Sequence, residues 1–315
     1  MQEEHKKTLP KILDFDNRDA IPLKVLKITE TLSQMSDGKT IIRCEMDSLT
    51  IWLIGKENLT RIDRGWNGEI IEELSEIKHE HRYEIFNRFL DSITHKGVIQ
   101  AESVEVDGAT FPPPSNWKPK CENLKLVNIQ MEQIPAWISS SLSISRKFRK
   151  FEIDCWSIEE PIGPLIRDIE VSETFRVLCE TGMTDEELEK IEALDISVTS
   201  DEITVDAARK RVENLLKFGK RTDKLELRIP HPQFNSTGEF FDAKNDLISK
   251  NWTVTKVKKD YEEAGEFEGK ILGGFENVHG IQDTREFVCE FYGDPMRVFC
   301  AVFEKVETPL TMYPF

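Results

Sequence analysis

The chain has 315 residues, 42 of them Lys or Arg and 58 of them Asp or Glu, so its formal net charge at pH 7 is −16. A hydrophobic fraction of 39% is enough to build packed cores, which excludes wholesale disorder, and the length is typical of about two domains. The acidic balance opposes general binding to nucleic acids, because phosphate groups have to be neutralised by Lys and Arg.

The N-terminal residues Met1–Lys7 are charged and no apolar stretch follows them, so we expect no secretory signal. No run approaches the roughly 18–20 apolar residues of a membrane-spanning helix, and we expect no membrane association. The six cysteines are scattered, and no two have the C-x-x-C spacing of a zinc site. We therefore expect reduced, mostly buried thiols in a cytoplasmic or nuclear protein.

The first predicted elements are strands. Residues 1–20 are polar, and apolar and polar residues then alternate over Pro22–Ile28, as in a strand with one buried face. Ser36–Lys39, with the sequence Ser-Asp-Gly-Lys, is a turn signal between two apolar runs. A further strand is predicted at Leu49–Ile54.

A helical pattern follows from about Gly68 to Lys96, where apolar residues recur at intervals of three and four. Gly97 is well placed to end it. The pattern fits one long helix or two consecutive helices.

The run Pro112-Pro113-Pro114 cannot lie inside a helix or a central strand, and we place a boundary there, with the prolines as a stiff spacer. This divides the chain into a polar N-terminal segment, a strand and helix region, a repeat-like strand–helix region and a C-terminal region, at residues 1–20, 21–111, 112–230 and 231–315.

A short alternating phrase recurs along the chain. Its copies are Leu23–Ile28, Leu124–Ile129, Phe151–Asp154, Leu194–Val198 and Leu225–Ile229. Helical spacing lies between several copies, most clearly at Thr204–Phe218, and Thr184–Ile191 opens with a capping residue and three acids. We predict an α+β fold built as an irregular, leucine-rich-repeat-like array of strands and helices. The copies are separated by under thirty to over forty residues, which does not fit a strict leucine-rich repeat.

The C-terminal region ends in two aromatic-rich runs, Phe287–Tyr292 and Arg297–Phe303, on either side of Gly-Asp-Pro. They predict an antiparallel hairpin in which Cys289 and Cys300 can face each other. We interpret these two thiols as packing residues, because a cytosolic disulfide is unusual.

Residues with catalytic or metal-binding chemistry are sparse. On a helix His79 and His81 would point apart, whereas Asp91 and His95 share a face, but one pair is a weak signal for zinc. No Gly-x-Ser-x-Gly, dinucleotide or P-loop pattern is present. We expect no cofactor, no metal and no catalytic residue, and the alternative is a hydrolase that uses carboxylates or the Asp91/His95 pair.

Two basic clusters interrupt the acidic background and are the candidate partner-binding residues. They consist of Arg146, Lys147 and Arg149, and of Arg209, Lys210, Arg211 and Lys217. Such clusters bind acidic peptides, phosphate groups or nucleic acids, or they simply neutralise nearby acids at a solvated surface.

Three stretches, Ile21–Ile28, Cys121–Ile129 and Ile203–Lys220, resemble the nematode-expanded F-box-associated proteins of the F-box C type. The resemblance covers about residues 20–300. It implies a substrate-recognition subunit of a cullin–RING ubiquitin ligase, which holds a protein partner and is not an enzyme. The segment before the first strand matches at most the opening of an F-box, at Leu9–Leu13, so recruitment of a Skp-type adaptor is in doubt.

Overall fold

The computed structural model describes residues 23–32, 40–56, 59–66, 69–78, 81–94, 98–155, 161–218, 223–229, 269–276, 282–292 and 296–304. Several predicted features lie outside them, namely the segment 1–20, the turn at Ser36–Lys39, and residues His79, His95 and Gly97. The chain divides into two units, Met1–Ser172 and Glu173–Phe315, which are called unit 1 and unit 2 below.

Unit 1 begins with an antiparallel meander in which each strand pairs with the next along the chain. Its strands are β1 (Leu23–Leu32), β2 (Thr40–Met46), β3 (Leu49–Lys56), β4 (Leu59–Trp66) and β5 (Glu69–Lys78). The strands predicted at 22–28 and 49–54 are confirmed as β1 and β3, because their alternation does reflect one buried face.

The helix predicted from Gly68 to Lys96 is wrong over its first part. Residues 69–78 form the strand β5, and the helix α1 covers only Arg82–Ile93. The pairing of β4 with β5 shifts register twice, between Ile62 and Arg64 and again at Gly65. Each bulge adds a residue to one strand and breaks its alternation, so the apolar residues of β5 fall at helix-like intervals.

The rest of unit 1 adds parallel strands to β1. Its elements are β6 (Ile99–Asp107), β7 (Pro119–Lys120), β8 (Asn123–Val127), a 3-10 helix (Met131–Gln133), α2 (Ile134–Ser141), β9 (Lys147–Asp154) and α3 (Gly163–Ile166). β6 pairs with β1, β8 with β6 and β9 with β8, all parallel. The sheet order in unit 1 is therefore β9-β8-β6-β1-β2-β3-β4-β5, with β7 beside the start of β6.

The three prolines lie between β6 and β7, inside unit 1, whereas the chain divides after Ser172. The carbonyl oxygen of Pro114 accepts a hydrogen bond from Trp117 N, which closes a turn and directs the indole into the core. Trp117 and Trp137 pack edge to face with ring centroids 5.1 Å apart. Their N–H groups donate to Ser141 Oγ and to the carbonyl oxygen of Phe111, so neither buried donor lacks an acceptor.

Unit 2 combines three parallel and three antiparallel strands. Its elements are β10 (Glu170–Glu180), which starts at the end of unit 1, α4 (Asp185–Lys190), β11 (Asp195–Thr199), α5 (Val205–Phe218), β12 (Lys224–Ile229), β13 (Gly269–Glu276), β14 (Gln282–Tyr292) and β15 (Met296–Glu304). The order is β10-β11-β12-β15-β14-β13, and Cys289 lies opposite Cys300 across β14 and β15. The predicted mixture of strands and short helices is confirmed, including α5 and the capping box that Thr184 forms with Glu187.

Two strands, β6 and β10, were not predicted, and they explain the uneven intervals between the strand phrases. Paired positions on neighbouring parallel strands, such as Val104 with Leu124 and Leu124 with Phe151, are 20 and 27 residues apart in unit 1. The corresponding separations in unit 2 are 21 and 29 residues. Once both strands are counted, no interval between paired parallel strands within either unit exceeds thirty residues in the described chain.

Candidate binding surfaces

One face of the unit 1 sheet carries polar side chains in rows across the strands. We call it the open strand face and define it by one row of Glu45, Lys27, Glu105, Lys125 and Glu152 and a second row of Trp52, Arg43, Thr29, Asp107, Val127 and Asp154. These residues alternate along the strands with core residues such as Ile28, Val106 and Leu126, which are at most 1% exposed. The first row shows 34% of the Lys27 side chain and 42% of the Lys125 side chain to solvent.

Charges of opposite sign are neighbours in the first row. Lys27 Nζ lies 2.7 Å from Glu105 Oε1, and Lys125 Nζ lies 3.9 Å from Glu105 Oε2. The hydrogen bond to Glu105 raises the pKa of Lys27. Because these pairs are partly exposed, each contributes at most about 1 kcal/mol to stability. Their main effect is to fix a pattern of charge at the surface.

The second row adds an aromatic group and unpaired-sign ends to that pattern. The guanidinium of Arg43 lies 5.9 Å from the ring centre of Trp52, which is half-buried. Beyond Trp52, Arg61 makes two hydrogen bonds of 3.1 and 2.9 Å to the buried carboxylate of Asp63. At the other end of the row Asp107 accepts a hydrogen bond from Asn128 Nδ2.

A buried carboxylate, which sequence reasoning missed, lies on the opposite face of β1. Glu30 Oε1 accepts from Tyr83 Oη at 2.6 Å, and Glu30 Oε2 accepts from the backbone N and the Oγ1 of Thr110 at 2.7 and 2.8 Å. Arg82 Nη2 is 3.5 Å from Oε1. Burial and the hydrogen bond to Glu30 raise the pKa of Tyr83. The cluster joins the start of α1 to β1 and to the loop after β6, and its acceptors are used within the protein.

Glu30 had a sequence signal that was not used. It follows Leu26 and Ile28 at the same two-residue interval, so the alternation of β1 places its carboxylate on the buried face. A charged residue in phase with buried positions is a candidate for a hydrogen-bonded cluster.

The residues of the enzyme alternative are not brought together. Asp91 is exposed and accepts a hydrogen bond from Asn116 Nδ2, while His95 lies outside the described residues. His81 precedes α1 as its N-cap, and its Nδ1 accepts from Tyr83 N at 3.4 Å. Over the described ranges no group of three or more potential metal ligands is found.

Most described members of the basic clusters are paired with acids. In unit 1, Lys147 Nζ is 2.6 Å from Glu170 and Arg149 Nη1 is 3.5 Å from Glu122, while Arg146 is exposed. In unit 2, Arg209 pairs with Asp206 at 2.8 Å and Lys210 pairs with Glu189. Lys217 lies on α5, and its side chain is outside the described part. These pairings weaken both clusters as sites for phosphate or nucleic acid, because the positive charge is already neutralised.

Arg211 differs from its neighbours. Its Nη2 donates to the carbonyl oxygen of Ile191 at 2.6 Å, and burial lowers its pKa. It also lines a pocket of about 360 Å³ between α5 and the starts of β11 and β12.

The expectation of buried thiols is confirmed for the described cysteines. Cys44, Cys121, Cys155, Cys179 and Cys300 are free and buried. Burial raises the pKa of Cys121 to about 12 and that of Cys155 to about 11. Thiols with such pKa values are almost entirely protonated at neutral pH and are therefore poor nucleophiles.

Comparison of the chain with protein-family models, with curated proteins and with solved structures finds no match. Among the described helices, none is long and apolar enough to cross a membrane.

Proposed function

We propose that the chain is a non-enzymatic protein-binding module and that the open strand face of unit 1 takes the partner. The observation that supports this is the face itself, on which part-exposed charges and an Arg–Trp contact extend across six neighbouring strands. On this proposal the strands and helices form an irregular, leucine-rich-repeat-like array that ends in an antiparallel hairpin region. Repeat arrays of this kind present extended surfaces to their partners.

The chemistry of the face suits protein recognition. Alternating charges favour a partner with the complementary pattern and penalise one that brings like charges together. Trp52 and Arg43 belong to the residue types that most often dominate interface energies. The partner is therefore expected to present acids and bases in alternation beside an aromatic or aliphatic group, and not a uniformly charged surface.

A pair of charge reversals tests the location of the interface. Glu152→Lys changes the open strand face, and Glu132→Lys makes the same change on the exposed 3-10 helix of unit 1. After affinity purification of the full chain and mass spectrometry, we expect the partners of the unaltered chain to be lost with Glu152→Lys and retained with Glu132→Lys. Equal recovery with both variants would place the interface elsewhere.

The resemblance to F-box-associated proteins supports a narrower version, in which the chain recognises substrates of a cullin–RING ubiquitin ligase. In that version the same purification recovers a Skp-type adaptor and a cullin. Their absence under gentle conditions, with other partners present, would remove the ligase version and leave the binding module.

A further inference from the structure

The pocket in unit 2 has an apolar floor. Its volume of about 360 Å³ lies within the range of roughly 300–1,000 Å³ that is usual for ligand pockets. Its apolar lining consists of Ala193, Leu194, Ile196, Leu215 and Leu225. Ala193, Ile196 and Leu225 are buried, whereas Leu194 is 47% exposed. The exposed leucine therefore lies at the mouth, and an apolar ligand would cover it.

The guanidinium of Arg211 is held in place at this pocket. Its hydrogen bond of 2.6 Å to the Ile191 carbonyl oxygen uses one of the five N–H donors of an arginine and fixes the orientation of the group. A carbonyl oxygen carries no full negative charge. Glu189, the acid that favours the charged form of Arg211, is itself ion-paired with Lys210. A partly desolvated cation in this position favours an anion as its partner.

The other charged groups that line the pocket have less influence on its contents. Glu192 and Lys224 are exposed, so water screens them. Asp223 is buried and already has an interaction within the protein. Asn214 adds an exposed amide on α5, three residues after Arg211.

We propose that this pocket binds a small carboxylate with an apolar body. The carboxylate accepts hydrogen bonds from Arg211, whose planar fork matches its two oxygen atoms. The apolar body lies against Ile196, Leu215 and Leu225. This site lies within unit 2 and does not depend on the interface proposed for the open strand face.

The test compares an acid with its neutral isostere. The full chain is titrated by calorimetry with 4-phenylbutyrate and with 4-phenylbutyramide, which has nearly the same shape and no charge. We expect the carboxylate to bind at least about tenfold more tightly, because a hydrogen bond to a charged group is stronger than a neutral one. Arg211→Gln should abolish this difference, and Arg209→Gln, on the same helix but paired with Asp206, should preserve it.

A second variant keeps the test decisive if Arg211→Gln does not fold. Leu194→Glu places a negative charge at the exposed mouth without entering the core, and it should weaken the carboxylate and leave binding of the amide nearly unchanged. Circular dichroism checks the fold of each variant. Equal binding of acid and amide, binding of neither compound, or equal losses with Arg209→Gln and Arg211→Gln would overturn the proposal.

Discussion

Replacement of Glu30 by Gln tests whether the buried carboxylate of unit 1 stabilises the fold. The substitution keeps the shape of the side chain but removes its charge. One terminal atom becomes an NH₂ group, which cannot accept a hydrogen bond. If the remaining oxygen keeps both donors of Thr110, the Tyr83 hydroxyl loses its acceptor, and Arg82 loses the only acid within 4 Å that the described residues give it.

The expected cost follows from those contacts. A hydrogen bond to a charged group contributes about 1.5–3 kcal/mol, so Glu30→Gln should lower the free energy of unfolding by about 2 kcal/mol. Glu30→Ala also leaves the Thr110 donors and the Arg82 charge without this acceptor, and about 3–5 kcal/mol is expected. Glu132→Gln, on the exposed 3-10 helix, is the matched control and should change stability by less than about 0.5 kcal/mol.

Urea unfolding followed by circular dichroism measures these differences, provided that the dependence on urea concentration is unchanged. The reasoning would be refuted if Glu30→Gln were as stable as Glu132→Gln. A large loss with Glu30→Ala alone would mean that the shape of the side chain matters and its charge does not.

Three further predictions concern single contacts. Gly108→Ala should cost about 3 kcal/mol or more, because Gly108 has φ +73° and an added Cβ would lie 2.4 Å from the carbonyl oxygen of Glu30; thermal unfolding measures the loss, and a stable variant would contradict it. Thr184→Ala removes the N-cap of α4 and should cost about 1 kcal/mol in the same assay, whereas an unchanged midpoint would show that the capping box is unimportant. The raised pKa of Tyr83 means that the folded protein holds this proton more tightly, so its stabilising effect is complete below about pH 10 and is lost as the pH rises through the folded-state pKa. Urea unfolding between pH 9 and 11 should therefore show a steeper loss for the unaltered chain than for Tyr83→Phe, and parallel losses would argue against the shift.

The strands and helices that could be predicted are those whose side-chain period is undisturbed. α5 has a continuous apolar stripe, and β1 and β3 alternate along most of their lengths. In β5 two bulges disturb the alternation, and the period of three and four that results is typical of a helix. Local periodicity cannot distinguish such a strand from a helix, because the bulge depends on a partner strand.

The candidate surfaces were harder to predict, because they depend on neighbours that are distant in sequence. Lys210 pairs with Glu189, 21 residues away, and Lys27 pairs with Glu105, 78 residues away. A count of adjacent basic residues contains no information on these pairs. Arg211 was one of seven basic candidates, and only the packing of α5 against β11 and β12 distinguishes it from the others.

The bulged strand β5 is the last strand in the sheet order of unit 1. A long, flat strand in that position would offer its free N–H and C=O groups to any extended polypeptide nearby, and sheets would then grow from one molecule to the next. Bulges bend and twist such a strand, so a second chain cannot follow it in register. The irregularity that hides β5 from sequence reasoning thus also guards the protein against fibril formation at high concentration.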